Sequence, residues 1–152
     1  MTEQTRTVND WLARAEKWMP ETRAFIDGSF VGFAGATRFE TITPRDGSVL
    51  AELEDGGAAA VDVAVAAARA AFNDGRGAWA RTSGTERGRV LLKVSQLIRE
   101  REDLLATAEA RGAGHPIGDA RWEVGAAAGT FEYYAGAANK HFGSVVPVQD
   151  AG

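Results

Sequence analysis

The sequence contains no cysteine, and this absence excludes disulfides, thiolate metal sites and a cysteine nucleophile within its 152 residues. A long apolar run is also missing, because the longest, Val63 to Ala68, is far too short to cross a membrane as a helix. The first residues, Met1 to Thr7, are polar and predict no signal peptide. We therefore expect a soluble, cytoplasmic protein without a membrane partner.

Basic charge is scarce, since 17 Lys and Arg residues are outnumbered by 21 Asp and Glu residues and the net charge is −4. The basic footprint of a nucleic-acid-binding protein is thus missing, and we expect no nucleic-acid partner. The chain does have an ordinary hydrophobic content of 45% and as many as 18 glycines. This composition is typical of one globular domain that is rich in turns and close helix contacts.

The first third of the chain predicts one helix and two short hairpins. Apolar residues at helical spacing predict a helix over Val8–Met19, which Pro20 ends. Asp27-Gly28 between apolar residues predicts a hairpin, because a tight primed turn needs positive φ at its centre. Alternation at Phe39–Thr43, turn residues and a second apolar run at Val49–Leu53 predict the next hairpin.

Three long helices are predicted in the remainder of the chain, followed by an extended tail at Ser144–Val148. They span Ala58–Phe72, a Ser83–Glu86 capping box to Arg111, and an Asp119 cap to Gly143. A glycine-rich loop, Asn73–Ala78, separates the first two helices. The fold class predicted from these elements is α/β, with short β-hairpins followed by three long helices.

The sequence strings that could indicate catalysis or ligand binding match the known motifs only poorly. Gly75-x-Gly77-x-x-Ala80 matches a dinucleotide-binding string, but it follows a helix, whereas the motif should follow a strand and open a helix. The glycines of Gly112–Pro116 are better explained as a helix stop. His115 is predicted in a loop and His141 in the last turn of a helix, and nothing in their spacing supports a metal site.

Other candidate groups have structural explanations. No G-x-S-x-G string is present, so a hydrolase nucleophile is unsupported. The pairs Glu52 with Glu54 and Glu100 with Glu102 are typical of solvated faces. The tryptophans are interpreted as core or interface anchors and are Trp11, Trp18, Trp79 and Trp122. We assign no catalytic, cofactor-binding or metal-binding residue in this chain.

Seven strings, in order and at matching spacing, resemble the N-terminal part of the NAD(P)-dependent aldehyde dehydrogenases. They are FIDGSFV at Phe25–Val31, FETITPRDGSVL at Phe39–Leu50, AVDVAVAAARAAF at Ala60–Phe72, WARTSGTERGRVL at Trp79–Leu91, GHP at Gly114–Pro116, FEYYAG at Phe131–Gly136 and VVPV at Val145–Val148. The helix at Val8–Met19 is similar to the extension of the γ-glutamyl-γ-aminobutyraldehyde dehydrogenase subgroup.

The resemblance implies a place within a larger enzyme. Residues 1–152 look like an incomplete N-terminal part of that family's cofactor-binding domain, with 1–20 as the extension helix and 144–152 as the start of the oligomerisation arm. The family oxidises aldehydes to acids with NAD or NADP, using a cysteine nucleophile and a glutamate base. Neither group matches a position in this chain, so we expect it to be inactive and to bind no NAD tightly when alone.

Two departures from the family pattern stand out in one short segment. Gly112 stands where the family commonly has an aspartate that contributes to a monovalent-cation site, so we do not expect that site here. His115 stands where the family often has lysine.

Two hypotheses remain. The chain is either the N-terminal segment of an aldehyde dehydrogenase, forming oligomers through its C-terminal arm, or a short non-catalytic partner that docks on full-length aldehyde dehydrogenases. In both cases the apolar faces of the three long helices are expected to need a covering partner. An unrelated small helical binding module is disfavoured by the ordered series of strings.

Overall fold

The computed structural model describes residues 6–140 and 142–143. The elements in chain order are α1 (Val8–Lys17), β1 (Ala24–Ile26), β2 (Ser29–Val31), β3 (Thr37–Ile42), β4 (Val49–Asp55), α2 (Gly57–Phe72), α3 (Ala78–Arg81), α4 (Gly84–Glu100), α5 (Glu102–Gly112) and α6 (Ile117–Ala137). A short 3-10 helix, Asn73–Gly75, follows α2. The mixed class of short antiparallel strand pairs and long helices confirms the predicted fold class.

Both predicted hairpins are present as separate two-stranded antiparallel sheets. In the first, Asp27 and Gly28 have φ values of 49° and 76°, which is the positive-φ turn that the Asp-Gly pair predicts. Phe25 and Phe30 face each other across it as a T-shaped ring pair. The second pairs β3 with β4 and carries a register shift at Thr41/Ile42.

Four predicted helix and loop segments differ from the structure in their boundaries. The first helix ends at Lys17 rather than Met19, because Trp18 has already turned to extended backbone. The predicted long helix from the Ser83 cap breaks at Arg101, whose ψ of 18° separates α4 from α5. The last helix begins at Ile117, with Pro116 as its N-cap, and it ends at Ala137 well before Gly143. The predicted loop at 73–78 holds the short 3-10 helix and the start of α3.

The buried centre of the described chain lies between α4, α5 and α6. Ala106, Ala120 and Val124 form its apolar cluster, against which Ile98, Ala110 and Ile117 pack. Gly88 of α4 lies so close to α6 that a Cβ there would come within 2.6 Å of the Ala135 carbonyl oxygen. Small side chains therefore set the distance between α4 and α6.

The helix α2 is the opposite case, because none of its residues is buried against the rest of the described chain. Its predicted stripe is open, with Val61 at 60% and Phe72 at 63% exposure. The apolar face of α2 thus lacks a cover among the described residues, as expected from the sequence.

Within residues 6–140 and 142–143, no helix combines the length and apolarity that crossing a membrane requires.

Candidate functional site

The connection between α5 and α6 places an imidazole between two carboxylates. Glu109 projects from the last turns of α5, Glu123 from the second turn of α6, and His115 from the four-residue connection between the helices. The connection turns sharply because Gly114 has a φ of +79° and Pro116 caps α6.

The three side chains converge on one point. The Nδ1 atom of His115 lies 3.1 Å from a carboxylate oxygen of Glu123 and 3.5 Å from one of Glu109. One ligand atom of each residue lies within 4.8 Å of the others. All three side chains remain about 40% exposed, so the cluster is open to solvent.

A cavity of about 450 Å³ lies beside this cluster. It is bounded by α1, the β3–β4 turn and the α5–α6 connection. Its lining residues are Val8, Trp11, Leu12, Ala15, Thr43, Arg45, Asp46, Ser48, Thr107, Ala110, Arg111, Gly114, His115, Pro116 and Ile117. The lining is thus mainly apolar, with charged groups at the β3–β4 turn and the end of α5.

Charged side chains in and next to the cavity lining interact with one another. Hydrogen bonds from Ser48 hold the pKa of Asp46 below its usual value, and the positive charges of Arg45 and Arg111 act in the same direction. The Nε atom of Arg111 is buried and has no hydrogen-bond partner among the described residues. The helix α1, which forms part of the lining, is held to α5 by ion pairs to Asp103 from Arg14 and from Arg6, just before α1.

The dinucleotide-like string Gly75-x-Gly77-x-x-Ala80 runs from the 3-10 helix into α3. The string follows α2, as the sequence predicts, and the Gly77 N–H donates to the Phe72 carbonyl at 2.9 Å. A Cβ at Gly77 would also overlap the Ala71 carbonyl oxygen. This glycine therefore serves a tight turn between α2 and α3, and the absence of a cofactor site at this string stays a prediction.

The predicted solvated carboxylates behave differently from one another. Glu52 is exposed, but the Glu54 side chain is only 17% exposed. Glu54 accepts the Phe33 N–H at 3.1 Å and pairs with Arg38, so it joins the two hairpins. Glu102 pairs with Arg121 of α6 at 3.0 Å. The interpretation as solvated faces is therefore wrong for Glu54.

The tryptophans also divide into two classes. Trp11 is half-buried, with the guanidinium groups of Arg6 and Arg121 5.7 Å and 6.0 Å from the ring centroid. Trp79 and Trp122 are exposed, at 52% and 73%. They are not core anchors within the described residues, and their interpretation as interface anchors stays a prediction.

Sequence reasoning missed the Glu109–His115–Glu123 cluster. The available signal was the position of Glu109 and Glu123 near the facing ends of two helices joined by a short glycine and proline connection. His141 and the predicted arm at Val145–Val148 lie outside the described residues.

Comparison with known proteins gives a consistent set of matches. The model of the aldehyde dehydrogenase family matches residues 30–152. Aldehyde dehydrogenase 1 of Tanacetum cinerariifolium is 43% identical over 126 residues, which cover 82% of this chain and 25% of that protein. The chain spans 14–25% of the curated relatives it matches first.

Two solved structures extend these matches. The γ-glutamyl-γ-aminobutyraldehyde dehydrogenase of Burkholderia cenocepacia superposes with a TM-score of 0.86 at 41% identity, covering 95% of this chain and 29% of its own. PnpE in complex with nicotinamide adenine dinucleotide gives a TM-score of 0.76 at 42% identity, covering 86% and 26%. The Burkholderia match leaves out only a twentieth of this chain, so it includes part of α1.

Proposed function

The chain belongs to the aldehyde dehydrogenase family, and we propose that it supplies the N-terminal part of the cofactor-binding domain of an enzyme that oxidises aldehydes to carboxylic acids with NAD+ or NADP+. The proposal includes the extension helix at 1–20 and an oligomerisation arm that starts at 144–152. The NAD complex of a similar protein supports the choice of cofactor for the complete enzyme.

The reaction needs groups that this chain does not contain. Oxidation of an aldehyde adds water to the carbonyl carbon, transfers hydride to NAD(P)+ and releases a proton. In the covalent route, a thiolate first attacks the carbonyl and a base then activates water for release of the acid. Because the chain has no cysteine, its nucleophile must come from outside these 152 residues. We therefore propose that the chain is inactive by itself.

The observation that carries this proposal is the open apolar face of α2. Val61, Val65 and Phe72 lie along it with exposures of 60%, 42% and 63%. Helices that cover a parallel sheet bury such an apolar face against the strands. We propose that strands of the catalytic enzyme cover this face and that the chain positions them.

The first experiment measures catalysis and cofactor binding by the chain alone. NADH and NADPH formation is followed with γ-glutamyl-γ-aminobutyraldehyde, indole-3-acetaldehyde and short aliphatic aldehydes, and NAD+ binding is measured by calorimetry. We expect neither turnover nor tight binding. Turnover by the purified chain, or tight NAD+ binding, would overturn the proposal.

The same exposed face also supports a second candidate, a non-catalytic partner that docks on full-length aldehyde dehydrogenases. The intact mass of the natural protein, captured with an antibody against α6, separates the two. A mass several-fold above 16.1 kDa supports the segment of a longer enzyme. A mass near 16.1 kDa, together with a co-purifying aldehyde dehydrogenase, supports the partner.

A further inference from the structure

We propose that Glu109, His115 and Glu123 form a binding site for one divalent transition-metal ion, with Zn²⁺ as the ion that fits best. The site depends only on the α5–α6 connection and is independent of the proposed aldehyde oxidation. It is also distinct from the cation position that the family resemblance associates with residue 112.

The first argument is the spacing of the ligand atoms. In a tetrahedral zinc site with bonds of about 2.0–2.1 Å, ligand atoms lie roughly 3.3–3.4 Å apart. The Nδ1 atom of His115 lies 3.1 Å and 3.5 Å from the nearest oxygens of Glu123 and Glu109. Two edges of the required tetrahedron are thus already close to their final length. The third edge, between the carboxylates, is no longer than 4.8 Å.

The second argument is the donor set. One imidazole nitrogen with two carboxylate oxygens suits Zn²⁺, whereas Mg²⁺ favours oxygen ligands and retains its waters. Three protein ligands leave a fourth position, and side-chain exposures of about 40% leave room for water there.

The third argument is electrostatic. Two carboxylates held this close repel each other. A divalent cation between them attracts both and outweighs that repulsion. The backbone supports the arrangement, because the positive φ of Gly114 and the fixed φ of Pro116 hold the His115 loop between two packed helices. The ligands therefore come from three segments whose relative positions the buried α5–α6 contact maintains.

The test is equilibrium dialysis of the full 152-residue chain against ZnCl₂, with metal measured by atomic absorption. We expect one Zn²⁺ per chain. His115→Lys places an ammonium group beside both carboxylates but removes the imidazole ligand, and we expect it to weaken binding at least about ten-fold. Glu123→Gln is expected to have a comparable effect. Circular dichroism checks that each variant keeps the helix content of the parent.

Two matched controls locate the ion. His141→Ala removes the only other histidine of the sequence, and Glu132→Gln removes a carboxylate of the same helix that pairs with Arg99. Both variants are expected to bind Zn²⁺ as the parent does. The absorption of the Co²⁺-substituted chain reports the geometry, with strong visible bands for a four-coordinate ion.

Three outcomes would overturn the proposal. The first is no zinc binding by the parent chain, and the second is equal binding by the parent and His115→Lys. The third is a loss in Glu132→Gln or His141→Ala as large as that in Glu123→Gln. Any of these would leave the cluster as a hydrogen-bonded contact between a histidine and two carboxylates.

Discussion

The packed helices α5 and α6 and the open helix α2 all contain several alanines, yet they differ in burial. Ala106, Ala120 and Ala128 are fully buried between neighbours, while α2, which is largely alanine and valine, buries no residue among those described. Composition alone therefore does not decide burial. The difference lies in whether a second face of complementary shape is present in the chain.

The largest expected effect comes from a charge placed in each region. Val124→Asp puts a carboxylate into the buried α5–α6 cluster and is expected to cost about 3–5 kcal/mol of unfolding free energy, because the charge has no partner there. Val61→Asp on α2 is expected to change it by no more than about 0.5 kcal/mol, since that side chain is 60% exposed. Urea unfolding followed by circular dichroism measures both, and equal losses would contradict the comparison.

The next largest change in stability is expected from two glycines of the packed helices, one at a close helix contact and one with open space beside it. Gly88→Ala forces a methyl group towards the Ala135 carbonyl and is expected to destabilise the fold by about 1–3 kcal/mol. Gly129→Ala, where a Cβ meets nothing within 4 Å, is expected to stabilise α6 by about 0.5–1 kcal/mol. Thermal melts of both variants should shift in opposite directions. A shift in the same direction would show that α4 and α6 do not meet at Gly88.

The N-terminal cap of α4 gives a smaller effect. Ser83 accepts the Glu86 N–H, and Glu86 accepts the Ser83 N–H at 2.9 Å, so the predicted capping box is formed. Ser83→Ala is expected to cost about 1 kcal/mol, because one helix donor loses its acceptor. Thr7→Ala in the matching box of α1 is expected to fray α1 without changing the main transition, since α1 has no buried residue among those described. Hydrogen exchange of the two first turns checks this contrast.

The smallest expected effect is the pH dependence of the stability that the Ser83–Glu86 capping box of α4 contributes. Hydrogen bonds from the backbone and hydroxyl of Ser83 lower the pKa of Glu86 below its usual value of 4.5. The stabilisation is therefore complete above pH 4.5 and is lost as the pH falls through the lower folded-state pKa. Glu86→Gln should be less stable than the parent at pH 6 and equal to it near the acid end of the titration. In a Ser83→Ala background this difference should become smaller but persist, because the backbone N–H of residue 83 still donates to Glu86.

Features encoded by adjacent residues were predictable from the sequence. The Asp27-Gly28 turn and the Ser83–Glu86 box depend on local stereochemistry, and both form as expected. The break at Arg101 carries no such signal, because apolar residues at helical spacing continue from Leu97 to Leu105 and neither glycine nor proline interrupts them. At the start of α6, Pro116 takes the cap position that the Asp119 interpretation had overlooked.

The candidate site was harder to predict, because it depends on how two helices face each other. Glu109 and Glu123 are 14 positions apart, and only the packing of Ala106 against Ala120 and Val124 turns both towards His115. Helical periodicity places each carboxylate on a face of its own helix. It does not give the rotation of one helix against the other, which side-chain packing determines.

The short α5–α6 connection has a consequence for the order in which the chain acquires structure. Partners across it lie only about a helix length apart in sequence, so little loop entropy is lost when they meet, and such local contacts favour rapid folding. During synthesis, the α4–α6 unit can assemble as soon as residue 137 has left the ribosome. The apolar face of the earlier helix α2 remains uncovered among the described residues at that stage, and it is the surface that a chaperone would have most reason to shield.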